Sequence, residues 1–581
     1  MSRLYRTGLA APPTPLARRG GALLPWLGAD GVLGLVVAAC LGLGFALWLY
    51  KYPMLRGTAP FWWREDADIT QYLAGFNAFV HEPWHWPLLR IDSLNTPDGT
   101  LATFLDTIPL YAMFLKLVHP GAGYWNPYGL WIALCFALQG VGAWWICREA
   151  RLRNWAALVA LALLLAAFPA LTRRIPHTSL MSQWLLLFGL AVYLRSGRLG
   201  RIATGSWVVL LNCAFYINIY LFAMTSALFA ADVLRELLRT PYKRSSIVRA
   251  LLAPLAVYGV LFATMLVTML PLPLGAGNGE WGFGYYSMNL LSPLNGGQLL
   301  HFEHPESQPG QGEGHNYLGI FLLSLTFFVY KLRQAHDCHF LRRHCALLGV
   351  LAVLTLYALS NRVYLGETLV YTLQLPQQLD GVTSTFRSSG RFFWPVGYAI
   401  VVFTVLGLVR HLKAGQAAAV LMVLLLLHFW DLQPHNDRVR AEIAQASGHS
   451  INAAQWEAFL GTKVRALHYY PPFHCAPTSP SAALLPTMAY AVRHGYSMST
   501  GYIARAVKPC TGYAADIMNL PANTAVVFDK QVFTRQDAAE QLMGANATCA
   551  DMQIVFLCRR DITNLDKKIH EKISLVGRTF L

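Results

Sequence analysis

Long apolar runs alternate along the chain with shorter stretches rich in arginine, proline, glycine and acidic residues. Gly31 to Tyr50, Leu251 to Leu270 and Phe392 to Val409 each supply the roughly twenty apolar residues that a membrane-crossing helix requires. Taken in order, the pattern predicts helices near 31–50, 127–147, 154–171, 180–195, 202–216, 218–234, 249–271, 317–331, 345–360, 392–410 and 415–431, or about eleven crossings. The stretch 107–118, "TIPLYAMFLKLV", is apolar but too short to span, and reads as a helix lying in the membrane interface. Beyond residue 432 the pattern changes. Strand-like "KVRALHYY", "TAVVFD" and "MQIVFLC" alternate with helix-like "SAALLPTMAYAVRHG" and "RQDAAEQLMG", which predicts a small α/β domain.

Composition agrees with a polytopic α-helical membrane protein, since 55% of residues are hydrophobic and only 13% charged. The formal net charge of +16 is spread in small groups between apolar runs, which argues for topology and against nucleic-acid binding. Alternate loops hold Arg3, Arg6, Arg18 and Arg19; Arg148, Arg151 and Arg153; Arg195, Arg198 and Arg201; Arg235, Arg239, Lys243, Arg244 and Arg249; Lys331, Arg333, Arg342 and Arg343; and Arg410 with Lys413. The positive-inside rule places these in the cytoplasm, together with the N-terminal tail 1–30. That tail is too long and too broken by proline for a cleavable signal, so the first apolar run is expected to be retained. A transmembrane domain over 31–432 then exposes loops 51–126, 271–316 and 361–391 on the opposite face, followed there by the domain 433–581.

Cys475, Cys510, Cys549 and Cys558 lie in that last domain and can pair in three ways. Bonds Cys475–Cys510 and Cys549–Cys558 are expected, in an oxidising compartment; buried free thiols are the alternative.

Candidate chemistry gathers in the exported loops. "FWWREDADITQYLAGFNAFVHE" (61–82) places Glu65, Asp66 and Asp68 close together, and on a helix over 69–82 Asp68, Gln71, Gly75 and Glu82 share a polar face opposite Ile69, Leu73, Phe76 and Val80. Such a helix is expected to lie along the membrane surface, with Glu65 and Asp66 solvated. Asp68 three places before Gln71 is equally a capping box. Asp106 opens the interfacial helix, where it also serves as an N-cap. "TRRIPH" supplies Arg173, Arg174 and His177, and "TFRSSGRFFWP" supplies Arg387 and Arg391, four apart and expected on one helical face. Two guanidiniums so placed can hold a phosphate by forked hydrogen bonds; snorkelling to lipid headgroups is the alternative. The 287–319 loop carries His301, Glu303 and His304 in "HFEH", a weak metal-ligand spacing without a helix to present it, and reads rather as a substrate-covering flap. Of Trp62, Trp63, Trp84, Trp86, Trp125 and Trp281, most are interfacial anchors and a minority are suited to stacking on a sugar.

The order of these features resembles the GT-C superfamily of membrane glycosyltransferases, which use polyprenyl-phosphate sugars. "DITQYLAG", "FLDTIPL", "RIPHTSLMSQW", "NLLSPLN", "GEGHNYLG" and "FRSSGRFFWP" are similar to the motifs of a bacterial multi-pass family of unknown function within it. The resemblance implies that Asp68, with Asp66 in reserve, is the general base. It implies that Arg387, Arg391, Arg174 and His177 neutralise the departing lipid phosphate. Gln71, Asp106, Glu313, His315 and Asn316 are expected to line the substrate cavity. The implied reaction moves a sugar, with inversion, from a polyprenyl-phosphate donor to a glycan or protein acceptor at the periplasmic face of the bacterial inner membrane, among membrane lipids. Some superfamily members use a divalent metal (Mg or Mn) and others none, so no ligand is assigned. The competing function is a transporter or flippase for a lipid-linked glycan, for which ionisable groups near mid-membrane or broken helices in paired halves are expected.

Overall fold

The structure, a computed structural model, describes residues 28–560 except 66, 119–122, 239–243, 274–279, 323–324, 327–337, 447–449, 506–507 and 545–546. Among the described residues, 6 helices are long and apolar enough to cross a membrane: Val32–Arg56, Tyr128–Glu149, Arg244–Thr268, Arg342–Leu359, Ser389–His411 and Ala414–Asp431. These make the chain a helical membrane protein.

The expectation of about eleven crossings does not hold. The 154–171 and 202–216 segments form helices of only 12 and 14 residues, Trp155–Ala166 and Thr204–Ile217. The first starts where expected, capped by the Asn154 side chain, which accepts from the amides of Ala156 and Ala157, but it ends at Ala166, ahead of Pro169 and a separate turn of helix. The 180–195 segment begins with a 3₁₀ turn, leaving a helix of 16 residues, Trp184–Leu199. Ile219–Leu237 reaches 19 residues but carries Asp232, Arg235 and Glu236 in its last turns. In 317–331, residues 323–324 and 327–331 lie outside the described residues. At about 1.5 Å per residue, helices this short do not cover the hydrocarbon core alone.

The bundle is held by backbone approach. A Cβ on Gly42 would lie 1.9 Å from the Phe136 carbonyl oxygen, and one on Gly140 1.9 Å from that of Ala38. Ala38 and Gly42, four apart on Val32–Arg56, and Gly140 on Tyr128–Glu149 therefore let the two helices touch main chain to main chain, a contact that needs no hydrophobic driving force in lipid.

The C-terminal sheet has five strands in the order Ser497–Met498, Ala466–Tyr470, Thr524–Asp529, Val555–Arg560, Ala547–Asp551. The first three are parallel and the last two antiparallel. Alternation along Thr524–Asp529 sends Ala525 and Val527 to one face, Val526 and Phe528 to the other. The first face, with Leu467, Leu557 and Met488, belongs to the same buried cluster as the membrane bundle. The second closes over Ala539 and Met543 of helix Gln536–Met543. This α/β unit is thus welded to the bundle. Both expected disulfides are formed, Cys475–Cys510 and Cys549–Cys558.

Candidate active site

Helix Asp68–His81 lies at the junction, and every residue from Ile69 to Val80 is buried. It is not the surface-lying amphipathic helix expected from its periodicity, because the Pro109–Val118 and Leu484–Arg493 helices enclose it. The capping box is also absent. Ala67 is the N-cap, Asp68 stands inside the first turn without a capping bond, and the Gln71 amide donates to the Tyr502 carbonyl at 2.5 Å. Glu65 is buried, accepting from the Ser450 amide at 2.9 Å, and is not solvated. Asp66 lies outside the described residues.

Freed from capping, the Asp68 carboxylate is 36% exposed and lies 3.6 Å from His177 Nδ1. The Tyr72 hydroxyl meets that same nitrogen at 2.8 Å. On the other side of the ring, Nε2 is 3.7 Å from Glu313. His177 therefore stands between the two carboxylates, within 4 Å of both and at hydrogen-bond distance from neither.

Glu313 is the hub of the opposite wall. Its Oε2 accepts from Arg174 Nη1 at 2.6 Å and from Arg391 Nε and Nη2 at 2.9 and 2.6 Å. Burial opposes ionisation of Glu313, but Arg174, Arg391 and His177 override it and hold the carboxyl well below the usual range. The glycines flanking these residues explain the meeting: a Cβ on Gly390 would stand 2.5 Å from Gly314 Cα, so the two backbones touch and bring Glu313 beside Arg391. Asn316 locks that contact by donating to the carbonyls of both Gly314 and Gly390. Aromatic faces back the guanidiniums, Trp394 under Arg174 and Tyr220 under Arg391 at 5.7 and 4.8 Å.

Arg387 does not share a face with Arg391, because Ser389–Phe393 is a 3₁₀ turn and the α-helix begins only at Trp394. It pairs with Glu280 at 2.7 Å. Arg387 nevertheless lies over the Tyr286 ring at 5.7 Å, and the Tyr286 carbonyl accepts from the amide of Gly390, next to Arg391, so the two arginines border one region. Asp106 is not an N-cap. It sits in the left-handed region at φ 51°, closing a 3₁₀ turn, and accepts from Ser179, which accepts from Asn218. Burial raises its pKa to about 6 against the pull of Ser179, His177 and Arg391. His315 is buried, its ring parallel to that of His435 at 6.0 Å, and burial followed by the field of Arg173 holds it neutral. His315 and Asn316 therefore brace the wall from behind and do not line the cavity as expected.

A recess of about 460 Å³ opens beside this cluster, lined by Arg173, Arg174, His177, Tyr286, Glu313 and Glu442 among others. Arg173, the member of the "TRRIPH" pair to which the resemblance gives no role, faces the recess and makes no ion pair among the described residues. Its signal was the doubled arginine, of which one member could be expected to be consumed structurally. The donor set does not fit a divalent cation: Glu313 is already engaged by two guanidiniums that would repel one, and among the described residues no three histidine, cysteine, aspartate or glutamate side chains group as ligands.

A search of curated proteins finds no match. Residues 455–560 match a family described as the DUF6311 C-terminal domain. Residues 39–433, covering the helical bundle and every charged group of the cluster, match the domain of unknown function DUF6311, and the chain therefore belongs to that family.

Proposed function

We propose that the protein is a membrane glycosyltransferase that moves a sugar from a polyprenyl-phosphate donor to an acceptor hydroxyl. The observation that carries the reading is the pairing of an uncapped, solvent-reached carboxylate, Asp68, with a guanidinium-rich recess across His177. Asp68 takes the acceptor proton. The acceptor oxygen attacks the anomeric carbon from the face opposite the leaving group, and the sugar–phosphate bond breaks with its electron pair passing to the phosphate oxygen. Inversion follows from that geometry. The growing phosphate charge meets Arg173 and Arg174, with Arg391 held behind Glu313. Buried Arg174 Nε makes no hydrogen bond among the described residues and is a donor still to be used.

The two disulfides and the distribution of arginines support a bacterial inner-membrane protein with this end in the periplasm. The test is transfer from a panel of polyprenyl-phosphate sugars by purified protein in lipid nanodiscs. Asp68→Asn lowers kcat by about 10²–10⁴-fold while leaving the fold intact, since Asp68 makes no capping bond. A variant with the wild-type rate removes Asp68 from the mechanism.

A further inference from the structure

The side of the site facing away from the arginines is built differently. Tyr502, from the α/β unit, leans edge-on against Phe473 with ring centres 5.0 Å apart, and Phe473 lies 3.8 Å from His474. Gln71 fixes the Tyr502 carbonyl, and the Cys475–Cys510 disulfide ties the loop bearing Phe473 to the one bearing Tyr502. Opposite stands a second aromatic group: Trp281 is 5.4 Å from Tyr285 and 6.0 Å from Tyr286. Trp281 is 70% exposed, which leaves indole surface unstacked. Arg387 anchors that group, donating to the Trp281 carbonyl at 3.2 Å and pairing with Glu280. The two groups border one seam, because Arg505, on the same loop as Tyr502, donates to Thr385 Oγ1 at 3.3 Å, just before Arg387 in the chain.

We infer that this seam is a saccharide-binding subsite that holds the acceptor, with the Trp281 indole against a pyranose face and Tyr502 and Glu280 taking its hydroxyls. The apolar C–H face of a pyranose suits a flat ring, and its hydroxyls suit a phenol and a carboxylate set at the ring's edge. A peptide acceptor lacks the support it would need here. Extended peptides dock by pairing with an open strand edge, and the nearest edge, Ser497–Met498, is already covered by this chain. Leu94 bridges to Met498, the Met498 amide donates to the Ser93 carbonyl, and the Thr96 amide to that of Met498.

The subsite's role as acceptor site rests on the transferase reading; saccharide binding does not. The experiment is therefore binding, without donor, by full-length protein in nanodiscs. The probes are glucose, mannose, galactose and N-acetylglucosamine trisaccharides, with serine- and threonine-containing peptides for contrast, read by calorimetry. At least one trisaccharide binds. Trp281→Ala and Tyr502→Ala each weaken it about tenfold or more, Tyr502→Phe less. Trp155→Phe, at the start of a distant helix, leaves it unchanged. Binding of no trisaccharide, binding of peptides alone, or wild-type binding by Trp281→Ala overturns the inference. Sugar transfer that persists without trisaccharide binding sinks the inference and spares the transferase; trisaccharide binding at Trp281 without transfer from any donor does the reverse.

Discussion

Replacing Glu313 by glutamine keeps the side chain's shape and removes the one charge that reconciles two buried guanidiniums. Glu313 Oε2 takes three charge-assisted hydrogen bonds from Arg174 and Arg391, whose side chains are only 4% and 11% exposed. Removing one partner of a buried pair costs about 3–5 kcal/mol. At 22% exposure Glu313 belongs near the lower end, about 3 kcal/mol, or roughly a hundredfold in the folding equilibrium. The assay is equilibrium unfolding in mixed micelles, followed by tryptophan fluorescence across pH. Because the Glu313 carboxyl is held below its usual range when folded, its contribution is present above about pH 4 and lost as pH falls through the folded value. Glu313→Gln lacks that acid-dependent loss. If the arginines are also an anion seat, inorganic phosphate restabilises the variant, by about 2.7 kcal/mol at a hundredfold excess over Kd. A variant within about 0.5 kcal/mol of wild type, showing the same acid limb, refutes the view that Glu313 holds the wall together.

Other expectations are independent of this one. Asp106→Asn keeps an acceptor for Ser179 and removes a carboxylate whose folded pKa is raised, so the variant is more stable than wild type at neutral pH; the gap closes as pH falls from about 6 to below 4, and a pH-independent difference would falsify the assignment. Cys475→Ser opens a crosslink spanning 35 residues, worth about 3–4 kcal/mol by loop-closure entropy; proteolysis should then cut near Tyr502, and an unchanged pattern counts against pinning of that loop. Lys508→Ala removes the ammonium that meets Asp98 and the carbonyls of Asn95 and Thr96. It should loosen the 93–98 cover over the sheet edge, read as faster amide exchange at Met498.

Local signals were legible where one segment determines its own structure. The strands over 466–470, 524–529 and 555–560 and the helices Leu484–Arg493 and Gln536–Met543 follow from alternation and turn chemistry, whereas the cysteine spacing alone leaves three pairings open and only the fold selects one. The short strands Ser497–Met498 and Ala547–Asp551 carry too few residues to alternate visibly. Asp68 and Gln71 have the spacing of a capping box, but the partner that claims Gln71, the Tyr502 carbonyl, lies 431 residues away. Arg387 and Arg391 have helical spacing in a stretch that turns as 3₁₀, because Gly390 must meet Gly314. The role of Glu313 as a shared counter-ion is invisible from its Gly-rich neighbourhood until Arg174 and Arg391 arrive from turns elsewhere in the chain. Crossing helices were overcounted because hydropathy registers apolar burial inside the protein as readily as burial in lipid.

The welding of the sheet to the bundle also sets a schedule. Asp68 is made first, Glu313 and Arg391 after it, and Tyr502, which receives the Gln71 amide, later still. A chain interrupted before the sheet has its charged wall but not the surface that faces it, with one side of the Asp68–His81 helix bare where Leu484–Arg493 should rest. The apolar side of a central helix is therefore covered only once the segment bearing the sheet has folded against it.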